Sequence, residues 1–307
     1  MYRYLSCILF CLLELSFKGF AQTDPLRVHS SVGLATYFGD LTERFKLVNQ
    51  NTAGMFNVGL SYDITEQIIG RFDFSIMKLK GDDRYNTRPD LVARNLNFQT
   101  TLWETNFTVQ YDFLNMNSED YILSPYVFLG LGVMHMNPWT YDRNGVKRYL
   151  RGYHTEGQGL PSYPERKEYS LFNMQIPFGA GIKYAVNENI NVYFEIAFRK
   201  LFTDYLDDVG NTYPDKNIIL NESSDPNTTI GLTFRGDELD PTLPYPSTYI
   251  QRGGYSKDTF YTLGLGVSIR LNGFSLGSGR GGGGGGFNKI RRVGSTRSRL
   301  KNPGSVF

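Results

Sequence analysis

The chain has 307 residues, 40% of them hydrophobic, with 22 Phe and 21 Tyr against 2 Trp, 33 Gly and a formal net charge of +2. That length and apolar content can supply a large core or a lipid-facing belt, and aromatics recurring with glycines point to short strands meeting turns rather than to helices. Cys7 and Cys11 are the only cysteines; both sit in a cleavable export signal, which leaves the mature chain without a disulfide, a thiol nucleophile or a thiolate metal site.

The signal is read over residues 1–21: Arg3 precedes an apolar stretch from Leu5 to Phe17, and Gly19 and Ala21 flank the cleavage point. Glu14 interrupts the stretch, which falls short of the roughly 20 apolar residues of a spanning helix. Every later apolar run is broken by polar residues. In a membrane, such a chain must be a closed barrel.

From Val28 onward hydrophobicity alternates with period two, and eight strands are predicted over 28–38, 52–63, 67–80, 98–113, 125–136, 170–186, 190–203 and 258–271. In the seventh, Ile190, Val192, Phe194, Ile196 and Phe198 share one face, and Asn191, Tyr193, Glu195, Ala197 and Arg199 share the other. The connections alternate as well. Links over 64–66, 114–124 and 187–189 are short or moderate, whereas 39–51, 81–97, 137–169 and 204–257 are long. The fold class is therefore all-β, an eight-stranded antiparallel transmembrane outer-membrane β-barrel over 22–271 with long extracellular loops. Both termini are expected in the periplasm, on the side of the short turns.

A soluble barrel of the lipocalin kind would turn its apolar face inward. Arg71, Asp73, Glu104, Lys183, Glu195, Arg199 and Arg270 fall on the polar faces, and an eight-stranded lumen can pair them as an internal salt-bridge lattice. Tyr62, Tyr111, Phe113, Tyr184 and Tyr126 gather near the short-turn ends as an interfacial girdle, with an inward orientation as the alternative for Tyr126. Both features favour lipid outside.

In the last long loop, Thr203 or Asp204 is expected to cap a short helical turn. The loop's carboxylates, with Asp40, could bind Ca²⁺, but their spacing lacks the ligand pattern of a calcium loop, and a capped, solvated turn is the expectation. Residues 272–307 form a Gly-rich basic periplasmic tail. Arg280, Lys289, Arg291, Arg292, Arg297, Arg299 and Lys301 stand there without any acid, behind six consecutive glycines. A flexible tether of this kind is either a disordered, solubilising end or an arm that orders on an acidic partner or on the cell-wall polymer peptidoglycan, and its compartment argues against nucleic acid.

No enzyme motif accompanies this architecture. His29, His135 and His154 are the only histidines, and His135 has no serine beside it in the sequence. No Walker loop, HExxH or CxxC occurs, and the GxGxxG spacing at Gly277 follows from glycine density alone. No cofactor is expected.

The first predicted strand ends in Tyr37, Phe38, Gly39, Asp40 and Leu41. The block from Tyr169 to Asp215 contains Phe202, Thr203, Asp204, Tyr205, Leu206, Asp207 and Asp208. In both blocks the chain resembles the PorG family, outer-membrane proteins of the type IX secretion system of Bacteroidota. The resemblance runs from Val28 to Arg270, least in the second and third long loops. It implies a non-enzymatic component anchoring or scaffolding a periplasmic ring of PorK- and PorN-type proteins. The basic tail is a departure from the family pattern. The alternative is a free-standing OmpA-like barrel acting as a structural or adhesive surface protein.

Overall fold

The computed structural model describes residues 25–42, 46–115, 121–254 and 257–271; the export signal and the basic tail, with all seven of its cationic residues, lie outside the described residues. Eight long strands form the wall: β1 Leu26–Phe38, β2 Ala53–Asp63, β3 Ile68–Asp82, β4 Asn97–Asp112, β5 Leu123–His135, β8 Phe172–Ala185, β9 Ile190–Leu201 and β10 Thr259–Arg270. Each pairs antiparallel with its neighbours, and β1 pairs with both β2 and β10, so the ring closes and no edge of the spanning wall is left open. The predicted strands stand within a few residues of these bounds.

Local chemistry makes the tight turns. Thr65 Oγ1 accepts from the backbone N–H groups of Gln67 and Ile68, and Asn187 Oδ1 accepts from those of Asn189 and Ile190. Alternation then decides the faces. Phe56, Val58 and Leu60 of β2, Phe72, Phe74 and Ile76 of β3, and Leu129, Leu131 and Val133 of β5 are exposed, while the residues between them are buried, or half-buried at Gly130. On β4 the outward series Trp103, Thr105, Phe107, Val109 and Tyr111, apolar but for Thr105, spans about 26 Å along the strand, enough to cross a hydrocarbon layer with tilt. Beyond Ile76 the same face of β3 turns to Lys78 and Lys80, which marks the upper border of the belt. Tyr62, Tyr111, Phe113 and Tyr184 are exposed at the short-turn end as the girdle requires, whereas Tyr126 points inward and is 1% exposed.

The lumen is solid. All seven of the predicted inward charges are ion-paired: Arg71 with Asp73 and Glu195, Lys183 with Asp112, Arg199 with Glu104, and Arg270 with Asp63. Tyr126 donates to Glu195 at 2.8 Å, and Gln175 donates to Glu104 at 2.6 Å. The outer third is filled differently. There Tyr37, Met77, Leu79, Phe98, Leu102, Met134, Leu201 and Phe260 turn inward and form an apolar plug.

That plug continues into a folded cap, which sequence reading missed. The long loops carry a hairpin, β6 Trp139–Tyr141 with β7 Lys147–Tyr149, joined to β4 through Gln99. They also carry α1 Pro89–Arg94, α2 Lys216–Glu222 and α3 Pro226–Thr233. Asp215 and Asp225 cap α2 and α3 by accepting from the N–H groups of Asn217 and Thr228. The β3–β4 ribbon rises to Asp82 opposite Asn97, above the last β4–β5 pair at Trp103 and His135, and the cap closes over the apolar plug. Leu96, Leu150, Leu206, Val209 and Leu232 extend the plug upward as one core.

Candidate functional site at the outer rim

The two sequence blocks that resemble a known family meet in space. Because β10 lies between β1 and β9, Phe38 is paired with Thr259 and Thr259 with Lys200. The residues just after β1, just after β9 and just before β10 must therefore share one patch of rim. Tyr37 stands there with its hydroxyl 2.6 Å from Asp207 Oδ2 and 3.1 Å from Asp258 Oδ1. A hydroxyl carries one hydrogen, so a proton held on one of the two carboxyls would satisfy both contacts. Gly39 is required beside them, since a Cβ there would lie 2.0 Å from Asp258 Oδ1 and 2.3 Å from the Tyr37 hydroxyl oxygen. Leu41 and Leu206 are fully buried in the cap core, while Phe38 is half-buried and Phe202 is exposed.

Residues 202–210 form irregular bends rather than the predicted capped helical turn. Thr203 Oγ1 accepts from the Tyr205 N–H at 3.2 Å, which closes a local turn, and Asp208 adopts a left-handed backbone with φ 69°. A solvated turn is also wrong: Asp207 is 1% and Asp208 0% exposed. The reason is pairing. Asp208 accepts from Tyr169 at 2.7 Å and from Thr155 at 2.5 Å, and Arg252 donates to the Asp208 carbonyl at 2.7 Å. Tyr205 stacks on Tyr169 with ring centroids 4.9 Å apart. Among the described residues no group of three or more His, Cys, Asp or Glu is placed to hold a metal ion.

Two buried ion-pair centres bind this rim to the other loops. Arg252 reaches Glu156 Oε1 at 3.2 Å and Asp208 Oδ2 at 3.7 Å, and donates to the Thr233 carbonyl. Arg94 donates through two nitrogens to Asp83 at 2.7 Å and to the Asp40 carbonyl at 2.8 Å. Sequence reasoning missed Asp83, Arg94, Glu156, Arg252 and Asp258. Only the adjacency of strand ends in a closed ring could have pointed to Asp258.

Burial dominates the electrostatics of the patch. It pushes Asp204 up to about 6, with the Asp40 charge adding to the shift and Lys257 opposing it. Glu156 is pushed up to about 7 by burial, against the pull of Arg252. Asp207 and Asp258 are raised well above the ordinary range by burial and by neighbouring carboxylates, and Asp40 is raised by burial against Arg94 and a backbone hydrogen bond from Gly254. Asp40 Oδ2 and Asp204 Oδ1 are buried with no donor among the described residues. Each of these carboxyls holds a proton more tightly folded than unfolded, so the cap is most stable below the ordinary carboxylate value of about 4 and loses stability as pH rises through about 6 to 7. Hydrogen exchange in the segment from Asp204 to Gly210 is expected to be slower at pH 5 than at pH 8, after correction for intrinsic rates; an unchanged or inverted ratio contradicts this assignment.

His29 faces the lumen, where its cross-strand partner on β10 is Ser268. His29 is 2.7 Å from Asp73 within the lumen, His135 stacks on Trp103 at 5.2 Å and meets Phe172 edge-on, and His154 is 3.7 Å from Glu168.

The chain belongs to the outer membrane protein beta-barrel domain family, whose model matches residues 7–236. It is an integral outer-membrane protein of the small-barrel type. A search of curated proteins finds no match. Among solved structures it is similar to Neisserial surface protein A, at 11% identity and TM-score 0.39 over 80% of this chain and 97% of that one. It is also similar to the attachment invasion locus protein Ail of Yersinia pestis, at 9% identity and TM-score 0.39 over 81% of this chain and all of that one. The outer membrane enzyme PagL matches at 13% identity and TM-score 0.30 over 80% of this chain and 99% of that one.

Proposed function

We propose that this small outer-membrane barrel is a non-catalytic, non-conducting anchor of the type IX secretion system, fixing a periplasmic ring of PorK- and PorN-type proteins to the membrane. The observation that carries the non-conducting part is the filled lumen. Its polar cavity, lined by Arg27, His29, Arg71, Tyr126, Lys183 and Tyr193, measures about 30 Å³, room for a water or two by a threshold of about 10–15 Å³ each. The apolar plug and the cap stand above it. A chain that cannot conduct a protein can still hold one at its surface.

The assignment to secretion is supported by the sequence resemblance, whose two motif blocks fold into a single rim cluster rather than scattering over the barrel. That cluster holds the outer cap in place. Contact with a periplasmic ring therefore falls to the short turns and to the basic tail, which also suits peptidoglycan.

Affinity purification in mild detergent tests the reading. The full chain is expected to bring down a defined set of periplasmic ring proteins and to show no stable conductance in planar bilayers, and removal of residues 272–307 is expected to weaken the association. Full retention of every partner by the truncated chain would sink the tail's share. A second reading, a free-standing OmpA-like surface protein, is favoured by the ordered cap, which presents Leu239, Tyr249 and Ile250 to the outside, Tyr249 at 92% exposure. Such a protein comes out of the membrane alone.

A further inference from the structure

We propose that a groove around Gly70, on the lipid-facing wall, binds one acyl chain of a phospholipid of the periplasmic leaflet. The outward series on β3 is Ile68, Gly70, Phe72, Phe74 and Ile76, with Gly70 opposite Tyr62 of β2 and Val109 of β4. The missing side chain opens a groove of about 300 Å³ with an almost wholly apolar lining, walled by Leu60, Tyr62, Ile64, Phe72 and Phe107.

Nothing inside the barrel requires a glycine at this position. Gly70 has no positive φ, and the nearest atom to a Cβ built there is Ile64 Cδ1 at 3.4 Å, an ordinary contact. The inward glycines behave differently. A Cβ at Gly59, Gly130 or Gly179 would come within 2.5 Å of a backbone oxygen or of the His29 ring. Gly54 also faces outward into open space, but it lies at the opposite rim, beside Leu34. The gap at Gly70 is a property of the outer surface, and its occupant comes from outside the chain.

Position identifies that occupant. One end of the groove lies at Tyr62 and Ile64, at the short-turn border of the membrane, and the other at the paired Phe72 and Phe107, well inside the hydrocarbon belt. A groove running from the interface toward the bilayer centre follows the course of an acyl chain in that leaflet. Its lining offers hydrocarbon and almost no polar surface, so water is a poor filler.

The test uses the full chain reconstituted in phosphatidylethanolamine and phosphatidylglycerol vesicles that contain a phospholipid with a mid-chain diazirine. Crosslinked peptides are mapped by mass spectrometry. Labelling is expected to concentrate severalfold on the segments holding Leu60 to Phe72 and Phe107, relative to Leu129 and Leu131 on β5. Gly70→Leu, which fills the groove from the lipid side, is expected to bring it down to the β5 level. Even labelling around the belt, or an unchanged pattern in Gly70→Leu, overturns the proposal. Heat-modifiable gel migration reports whether the variant folds; if it does not, the wild-type distribution alone decides. In cells fed a diazirine fatty acid, crosslinks at this groove to a lipoprotein's acyl chain in place of phospholipid would also overturn it.

Discussion

Replacing Arg252 by methionine is expected to release the outer cap while leaving the barrel folded. The guanidinium is 2% exposed and faces Glu156 and Asp208, both fully buried, while also donating to the carbonyls of Asp208 and Thr233. Removing it leaves two acids in a medium that cannot solvate them, a loss of about 3–5 kcal/mol for a buried pair broken from one side. Limited proteolysis should then cut within 152–168 and 204–215 faster than in the parent protein. Heat-modifiable gel migration should stay that of a folded barrel, since none of these contacts reaches the spanning wall. The defect should be milder at pH 5 than at pH 8, because Glu156, already raised to about 7, takes a proton once its cation is gone and no longer stands as an unpaired charge. Arg252→Lys keeps the charge and loses the fork of donors, so it should fall between the two. A digestion pattern identical to that of the parent would refute the cap's dependence on this centre.

The second large effect is expected inside the barrel. Arg71 donates to Glu195 at 2.6 Å, to Gln110 at 3.2 Å and to Asp73 at 3.3 Å, and lies 5.2 Å from the centre of the Phe128 ring. Arg71→Met should lower barrel stability by about 3–5 kcal/mol, for the same physical reason as in the cap. Urea unfolding in detergent, followed by the fluorescence of Trp103 and Trp139, measures the change. Adding Glu195→Gln should recover a good part of the loss, because the stranded charge is what costs stability and the amide can still accept from Tyr126. If the double variant is no better than the single one, the lattice acts through packing alone. Neither variant should conduct, since Tyr126 and Tyr193 still occupy the lumen and the apolar plug stands above them.

Sequence by itself determined the spanning wall. Pleating sends alternate side chains to opposite faces, so Ile190 to Phe198 and Asn191 to Arg199 declare their sides from local order alone, and the lengths of the links give the direction of the barrel. It also brought out Tyr37 to Leu41 and Phe202 to Asp208 as a pair of motifs. What those motifs do was decided by tertiary structure. Tyr37 meets Asp207 and Asp258 only because ring closure sets β10 between β1 and β9, and Arg252 meets Glu156 only because two long loops fold over the same plug. In sequence, Asp207 and Asp208 are indistinguishable from solvated loop acids, since a carboxylate reads the same whether its cation is distant or at hand. The apolar outer third of the lumen was hidden for a related reason. Met77, Leu79 and Leu102 follow the same period of two as the charged positions below them, and only the cap above explains why that end of the lumen excludes water. Periodicity is a local property of the backbone, whereas burial of a charge depends on partners far away in the chain, and those become neighbours only when the barrel closes.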